Sequence, residues 1–444
     1  MFKEEGEKSL NLMIPILLCV RPVILLPPLY GSNLYASYSE NEFKDDDCPK
    51  SAHDLGLWIN MLYMIKPKLN CLIKLMKVHW DENTQTAASA PNVSIYARDF
   101  EGTSSILFAD LGIIGVHLYE IFNGLINLLI SKKYVVKKSL FGAPYDWRMA
   151  IMGLGDYFEK LKSLVMKAYK LNGNTKVAMV GYSCGGFLLQ HFLTEKVDQD
   201  WKDKYIDSAI FLAPSFGGSI GSVTTLWERK TSAIPYASVD LAGDLVESFP
   251  VIYQHFPNHE IFGDRPLVVT PSGDSFNASN VSEFLISHNR INGDNIKFLD
   301  FAKTISRNPP KKPGVPTMII YNSGISTPSS MIFESSLSDI PSIQYSPGDG
   351  QVETIGPKWA CNNWNADDYH PIYCIEINQS SDSFRHDKLS KNPYVKELLV
   401  DAIMNNKWKS KGVRTYVRAP LVQIEKDTFR IRHDLRRTSI SITK

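Results

Sequence analysis

Gly181, Ser183 and Gly185 stand in the run Lys176-Val-Ala-Met-Val-Gly-Tyr-Ser-Cys-Gly-Gly-Phe-Leu-Leu-Gln, an aliphatic stretch followed by a helical pattern. G-x-S-x-G between a strand and a helix is the signature of a nucleophile elbow, a sharp turn that holds its serine under backbone strain. Small residues two before and two after the serine permit so tight a turn. The helix N-terminus that follows favours developing negative charge beside Ser183. The chemistry this implies is nucleophilic attack by Ser183. The bland alternative is an ordinary glycine-rich strand–helix turn.

A nucleophilic serine needs a base, and the base needs an orienting carboxylate. Behind an elbow of this kind the chain order is serine, acid, histidine. Asp349 lies in Ser346-Pro-Gly-Asp-Gly-Gln-Val, where Gly348 and Gly350 would present its carboxylate at a loop tip. Only His370, His386 and His433 follow it. His433 falls in a basic tail and His370 in a loop between Cys361 and Cys374, whereas His386 precedes the helical pattern Pro393–Met404, a suitable place for the base. For the oxyanion, one expected donor is the backbone N–H of Cys184. The second should come from a loop after an early strand, where Leu29 in Pro27-Pro-Leu-Tyr-Gly-Ser-Asn is the candidate. Cys184 itself reads as a small buried residue rather than a reactive thiol. Chemistry of this type needs no metal and no organic cofactor.

These groups must be positioned by elements, and the pattern of elements is α/β. Candidate strands at Pro22–Leu26, Val177–Val180, Ser208–Leu212 and Thr317–Tyr321 alternate with helical patterns at Leu111–Ile130, Tyr157–Tyr169 and Pro393–Met404. That alternation favours a largely parallel sheet. From Ser215 to about Asn258 the pattern is less regular and reads as an insertion or cap. Asn308-Pro-Pro-Lys-Lys-Pro-Gly is a turn-rich connector.

Composition sets outer bounds. The 444 residues are 44% hydrophobic, 11% aromatic and 21% charged, the profile of a packed globular chain. Lys plus Arg is 48 and Asp plus Glu 47, a net charge of +1 that argues against a nucleic-acid binder. The total conceals an asymmetry: residues 407–444 hold eleven basic and three acidic side chains, so this tail carries +8 and the remainder −7. Such a tail suits an anionic lipid surface, or is simply solvated. Cys48 and Cys71 flank an apolar stretch and Cys361 and Cys374 a short polar one; spacing excludes a zinc motif but leaves disulfides and free thiols both open. Leu10–Val20 has the length of a signal h-region, but Glu4, Glu5 and Glu7 spoil the usual flank. N-x-S/T sequons at Asn92, Asn277, Asn280 and Asn378 are about as many as chance supplies.

Phe141-Gly-Ala-Pro-Tyr-Asp-Trp-Arg148 resembles the APYDWR signature of the lecithin:cholesterol acyltransferase family. Further landmarks are similar: Arg21-Pro-Val-Ile-Leu-Leu-Pro to its opening strand, with Pro28 where glycine is usual, and Gly181–Gly186 to its nucleophile segment, with Tyr182 in place of histidine. Pro214-Ser-Phe-Gly-Gly resembles the turn into its lid, and Ser346–Val352 and His386–Leu389 its acid and base segments. The resemblance implies an α/β-hydrolase fold over residues 21–406, with residues 1–20 a signal or extension and 407–444 a separate basic tail. It implies a disulfide Cys48–Cys71 closing a membrane-docking loop in which Leu57, Trp58, Met61 and Leu62 meet lipid, and a lid at about 219–258. In that family the partner of a cysteine placed like Cys361 lies upstream of the acid, so Cys361–Cys374 follows less directly. Asp146 and Arg148 read as a structural ion pair. The implied activity is phospholipid acyl transfer to a sterol, diacylglycerol or other lipid alcohol, or to water, at a membrane or lipoprotein surface in the secretory pathway, whether lysosomal or secreted. The alternatives are a phospholipase A or neutral lipase without transfer, and a catalytically silent lipid-binding protein.

Overall fold

The four aliphatic runs expected to be strands all enter one sheet. The computed structural model describes residues 20–39, 47–112, 117, 119–230, 237–306 and 308–419. Its main sheet comprises β1 (Val23–Leu26), β2 (Leu140–Gly142), β3 (Val177–Tyr182), β4 (Ile206–Leu212), β5 (Thr317–Asn322), β6 (Ile372–Ile377) and β7 (Arg414–Arg418). All pairings are parallel, in the order β2-β1-β3-β4-β5-β6-β7. Every residue of β1, β3, β5 and β6 is buried, as expected of strands covered on both faces. Alternate residues serve two cores: Ile24, Leu26 and Met179 face one, Val23, Leu25 and Val180 the other. This is an α/β-hydrolase fold.

Three helices matter most for the site. In α1 (Tyr157–Leu171), Phe158, Leu161, Leu164, Val165 and Ala168 form the buried stripe that the 3.6-residue period demands. Helix α2 (Cys184–His191) follows β3 directly, and α3 (Pro393–Met404) starts where Asn392 Oδ1 accepts the N–H groups of Tyr394 (3.0 Å) and Val395 (3.3 Å). The expected helix over 111–130 is a correction: among the described residues of that stretch, helix covers only Asn123–Ser131. The Asp110 carboxylate accepts the N–H groups of Gly112 (3.0 Å) and Tyr119 (2.7 Å), which holds both in non-helical positions.

The connections carry the rest. Both disulfides form, Cys48–Cys71 and Cys361–Cys374; the second joins helix Ile355–Asn363 to β6. Within the first loop the apolar run divides. Leu57 and Trp58 are buried, which corrects their expected place at a lipid surface, while Leu62 is 61% exposed and Met61 half-buried. Trp58 turns inward because its ring packs on Tyr30 and Trp147, and its Nε1–H donates to the Tyr30 carbonyl at 3.1 Å. Ile65, next to Leu62 on the exposed side, is 53% exposed.

The segment at 219–258 is helical in its described part, with Ile220–Glu228, Val239–Val246 and Pro250–Gln254; residues 231–236 lie outside the described residues. The tail boundary also shifts. Residues 414–418 are the edge strand β7 in register with β6, and Lys409 donates to the Asp207 carboxylate at 2.7 Å, so the folded unit runs past residue 406. Residues 1–19, which include nearly all of the expected signal, and 420–444 lie outside the described residues. No helix among the described residues is long and apolar enough to cross a membrane.

Candidate active site

Strand β3 ends in Tyr182 and the next residue reverses the chain. Ser183 takes φ 53° and ψ −120°, a left-handed conformation costly for any residue with a side chain. Two glycines permit the turn: a Cβ on Gly181 would lie 2.6 Å from the Gly185 carbonyl oxygen, and one on Gly185 would lie 2.4 Å from the carbonyl oxygens of Leu26 and Pro27. The elbow is therefore pressed against the end of β1, beside the turn that holds Leu29. Ser183 N–H donates to the Leu212 carbonyl (2.9 Å), which fixes the elbow to β4.

Asp349 and His386 arrive from excursions after β5 and β6. After β5 the chain makes an antiparallel hairpin, Ile325–Ile332 with Ser342–Gly348, and Asp349 is the first residue beyond it. Asp349 is only 2% exposed, so its carboxylate is delivered to the interior rather than to an exposed tip. Gly350 next to it has φ 95°, and its N–H donates to Thr327 Oγ1 at 2.8 Å. Asp349 Oδ1 accepts the N–H groups of Gln351 (3.1 Å) and Val352 (2.8 Å), leaving Oδ2 for His386. Beyond β6, His386 N–H donates to the Asp349 carbonyl at 2.8 Å. Its side chain completes a chain of contacts: Nδ1 to Asp349 Oδ2 at 2.7 Å and Nε2 to Ser183 Oγ at 2.8 Å. All three side chains are buried. Sequence order selected these three residues, and the fold brings them within hydrogen-bonding reach; His370 instead lies against Asp367 and Asp203.

Several supporting groups escaped the sequence reading. Tyr182 stood out only as a departure from histidine, yet its hydroxyl donates to the His386 backbone carbonyl. Burial raises its pKa well above the usual phenol value, so it remains a donor. The APYDWR segment contributes more than the expected ion pair. Tyr145 OH donates to the Pro27 carbonyl (3.0 Å), Tyr145 N–H to Ser32 Oγ (3.1 Å), and Trp147 Nε1–H to the Ser32 carbonyl (3.2 Å). These bonds brace both ends of the turn containing Leu29. Asp146 and Arg148 do pair, at 2.6 Å, and the fully buried guanidinium also donates to the Met76 carbonyl (2.8 Å) and Ser89 Oγ (3.0 Å). The signature thus ties the Leu29 turn to the end of helix Lys68–Met76, which carries Cys71. The aromatic residues and their spacing were visible in sequence; their partners, more than a hundred residues away, were not.

Cys184 is the unpaired cysteine among the described residues, buried at the start of α2, where burial pushes its thiol up to about 12. A thiol so protonated is inert at neutral pH. Ser219 Oγ donates to the Gln351 carbonyl (3.0 Å), joining the start of helix Ile220–Glu228 to the turn of the acid.

Residues 54–292, more than half of the chain, match the profile of the lecithin:cholesterol acyltransferase family. The chain is 24% identical over 363 residues to phosphatidylcholine-sterol acyltransferase of Mus musculus, covering 81% of each. It is 27% identical to lysosomal phospholipase A and acyltransferase of Bos taurus over 77% of this chain and 83% of that one. To lecithin-cholesterol acyltransferase-like 1 of Arabidopsis thaliana it is 26% identical, over 75% of this chain and 80% of the other. With the profile matched over more than half its length and the APYDWR segment inside that match, this chain belongs to the lecithin:cholesterol acyltransferase family.

Proposed function

We propose that this protein is a serine-dependent lipid O-acyltransferase and phospholipase that takes an acyl chain from a phospholipid and passes it to a lipid alcohol or to water. The observation that carries the proposal is the buried hydrogen-bond chain from Ser183 through His386 to Asp349, in a member of this family. Ser183 Oγ attacks the ester carbonyl while His386 Nε2 takes its proton. Asp349 holds the Nδ1–H and stabilises the imidazolium that forms. The backbone N–H groups of Leu29 and Cys184 receive the oxyanion, the first on a turn braced by Tyr145 and Trp147. Collapse of the tetrahedral intermediate gives an acyl-Ser183 and releases the lysophospholipid, protonated by His386. An incoming sterol, diacylglycerol or other alcohol, or water, then loses its proton to His386 and takes the acyl group. Both steps use only protein groups.

The relatives named above support the phospholipid donor and the split between transfer and hydrolysis, since one is named a sterol acyltransferase and another a phospholipase A and acyltransferase. Leu62 and Ile65, exposed within the Cys48–Cys71 insertion, form the lipid-docking edge, with half-buried Met61. The segment at 219–258 serves as a lid that excludes water so that an alcohol competes for the acyl group. Two disulfides suit an oxidising compartment, lysosomal or extracellular.

The test is product analysis with phosphatidylcholine vesicles containing labelled sterol or labelled diacylglycerol. Labelled ester from either acceptor is the expected result. Free fatty acid alone would leave a phospholipase. A wild-type chain that does not react with a fluorophosphonate probe, or a Ser183→Ala variant that keeps full ester cleavage, would remove the proposal.

A further inference from the structure

Between the end of β6 and His386 runs a loop, residues 378–385, in which Phe384 is buried while Asn378, Ser380, Ser381 and Asp382 are exposed. With so little apolar surface, burial gives the loop scant hold, and its one regular feature is the 3₁₀ turn Asp382–Phe384. Yet this loop delivers the imidazole, whose nitrogens meet Asp349 and Ser183 at 2.7 and 2.8 Å. A misplacement of about 1 Å at a site of this kind costs about a hundredfold in rate.

One side chain reaches both ends of the loop. Asn322, the last residue of β5 and 1% exposed, stands in register with Ile377, the last residue of β6. The Ser323 N–H still donates to the Ile377 carbonyl (2.7 Å); beyond it the Asn322 amide takes over from the backbone. Its Nδ2–H donates to the Gln379 carbonyl (3.0 Å) and its Oδ1 accepts the Gln379 N–H (3.1 Å), so it pairs with Gln379 as a peptide group would. The second Nδ2–H donates to the Phe384 carbonyl (3.1 Å), two residues before His386, and Oδ1 also accepts the Gly324 N–H (3.2 Å). Both donors and both lone pairs are thereby used, all on backbone groups. The fit is close: a Cβ on Gly324 would lie 2.4 Å from the Gln379 backbone nitrogen.

Other contacts act on His386 itself or tie the loop forward. Tyr182 holds the His386 carbonyl, Asp349 accepts its N–H, and Asn392 at the start of α3 donates to the Ser383 carbonyl at 3.2 Å. Asn322 ties the loop back to the sheet, on the strand from which the excursion to Asp349 departs. We infer that Asn322 is a positioning residue for His386, its amide setting the loop so that Nε2 points at Ser183. This rests on Ser183, His386 and Asp349 acting as proposed.

Turnover of p-nitrophenyl butyrate, a soluble ester that needs no membrane docking, tests the inference. Asn322→Asp keeps the size of the side chain but gives up at least one of the two donated bonds, and Asn322→Ala gives up every one. In each, kcat should fall about 10- to 100-fold with KM within about threefold. Asn172→Ala removes another buried asparagine, bonded to the Lys138 and Ala168 carbonyls ahead of β3, and should leave kcat near that of wild type. In a His386→Ala background the Asn322 substitutions should have almost no further effect on residual turnover, because the group they act through is gone. An equal fall with or without His386, a kcat near wild type in both variants, or failure of both to fold overturns the inference. Turnover that survives Ser183→Ala overturns the triad on which it rests.

Discussion

Tyr182 sits immediately before Ser183 and holds the backbone of His386, so one strand end fixes two members of the proposed triad at once. The carboxylate of Asp349 does the same for the imidazole ring. Asp349→Asn should leave the fold intact but present the wrong partner to Nδ1, and the turnover number for ester cleavage should fall about 10⁴-fold. A fall of less than tenfold would mean that Asp349 does not orient the base. Cys184 permits a second test. With its thiol pushed up to about 12, against about 8.5 for an ordinary cysteine, it should resist iodoacetamide in the folded protein at mildly alkaline pH and react on unfolding. Mass spectrometry of the peptide containing Cys184 reads this, and rapid labelling of the folded chain would refute it. That Ser183, Asp349 and His386 would meet was legible in the sequence because chain order left few histidines after Asp349. The bracing groups were not, since Tyr145 and Ser32 are linked only by folding.

At the scale of elements, the Cys48–Cys71 insertion shows what hydrophobic content alone cannot tell. Leu57, Trp58, Met61 and Leu62 form one greasy run in sequence, but the first two close the core and Leu62 faces outward. Leu62→Asp should lower binding to phosphatidylcholine vesicles with stability within about 0.5 kcal/mol of wild type. Trp58→Ala should instead cost about 3–5 kcal/mol in denaturant unfolding, through the lost packing on Tyr30 and Trp147. Equal effects of both substitutions on vesicle binding and stability would undo the distinction. The second disulfide closes a short loop between a helix and β6. Replacing Cys361 and Cys374 together by Ser should lower stability by about 2–4 kcal/mol, read as a shift in the urea midpoint. The main strands were legible from their aliphatic runs. The helix over 111–130 was overread because apolar content alone does not mark helix, and the buried Asp110 carboxylate holds Gly112 and Tyr119 outside it.

For the whole molecule, the near-zero net charge conceals a basic edge. Of the +8 carried by residues 407–444, +5 belongs to residues 407–419, which fold onto the sheet. Lys407, Lys411 and Arg418 are exposed there, whereas Lys409 is occupied by Asp207. Changing Lys407, Lys411 and Arg418 to Gln should weaken binding to anionic vesicles by about a hundredfold or somewhat more, at about 1 kcal/mol per charge, and leave neutral vesicles unaffected. Equal loss on both would remove the electrostatic account. Truncation after Ala419 rather than at Lys407 spares β7 and isolates the remaining charges. One last consequence comes from the way β3 is linked to the chain far downstream. Ser183 and His386 meet across more than two hundred residues, and the turn bearing His386 follows β6, near the end of the sheet in chain order. A nascent chain that has emerged only as far as β5 contains Ser183 but neither Asp349 nor His386. On the proposed mechanism the serine is therefore silent until both have been made, and a copy truncated before them would be harmless to the membranes around it.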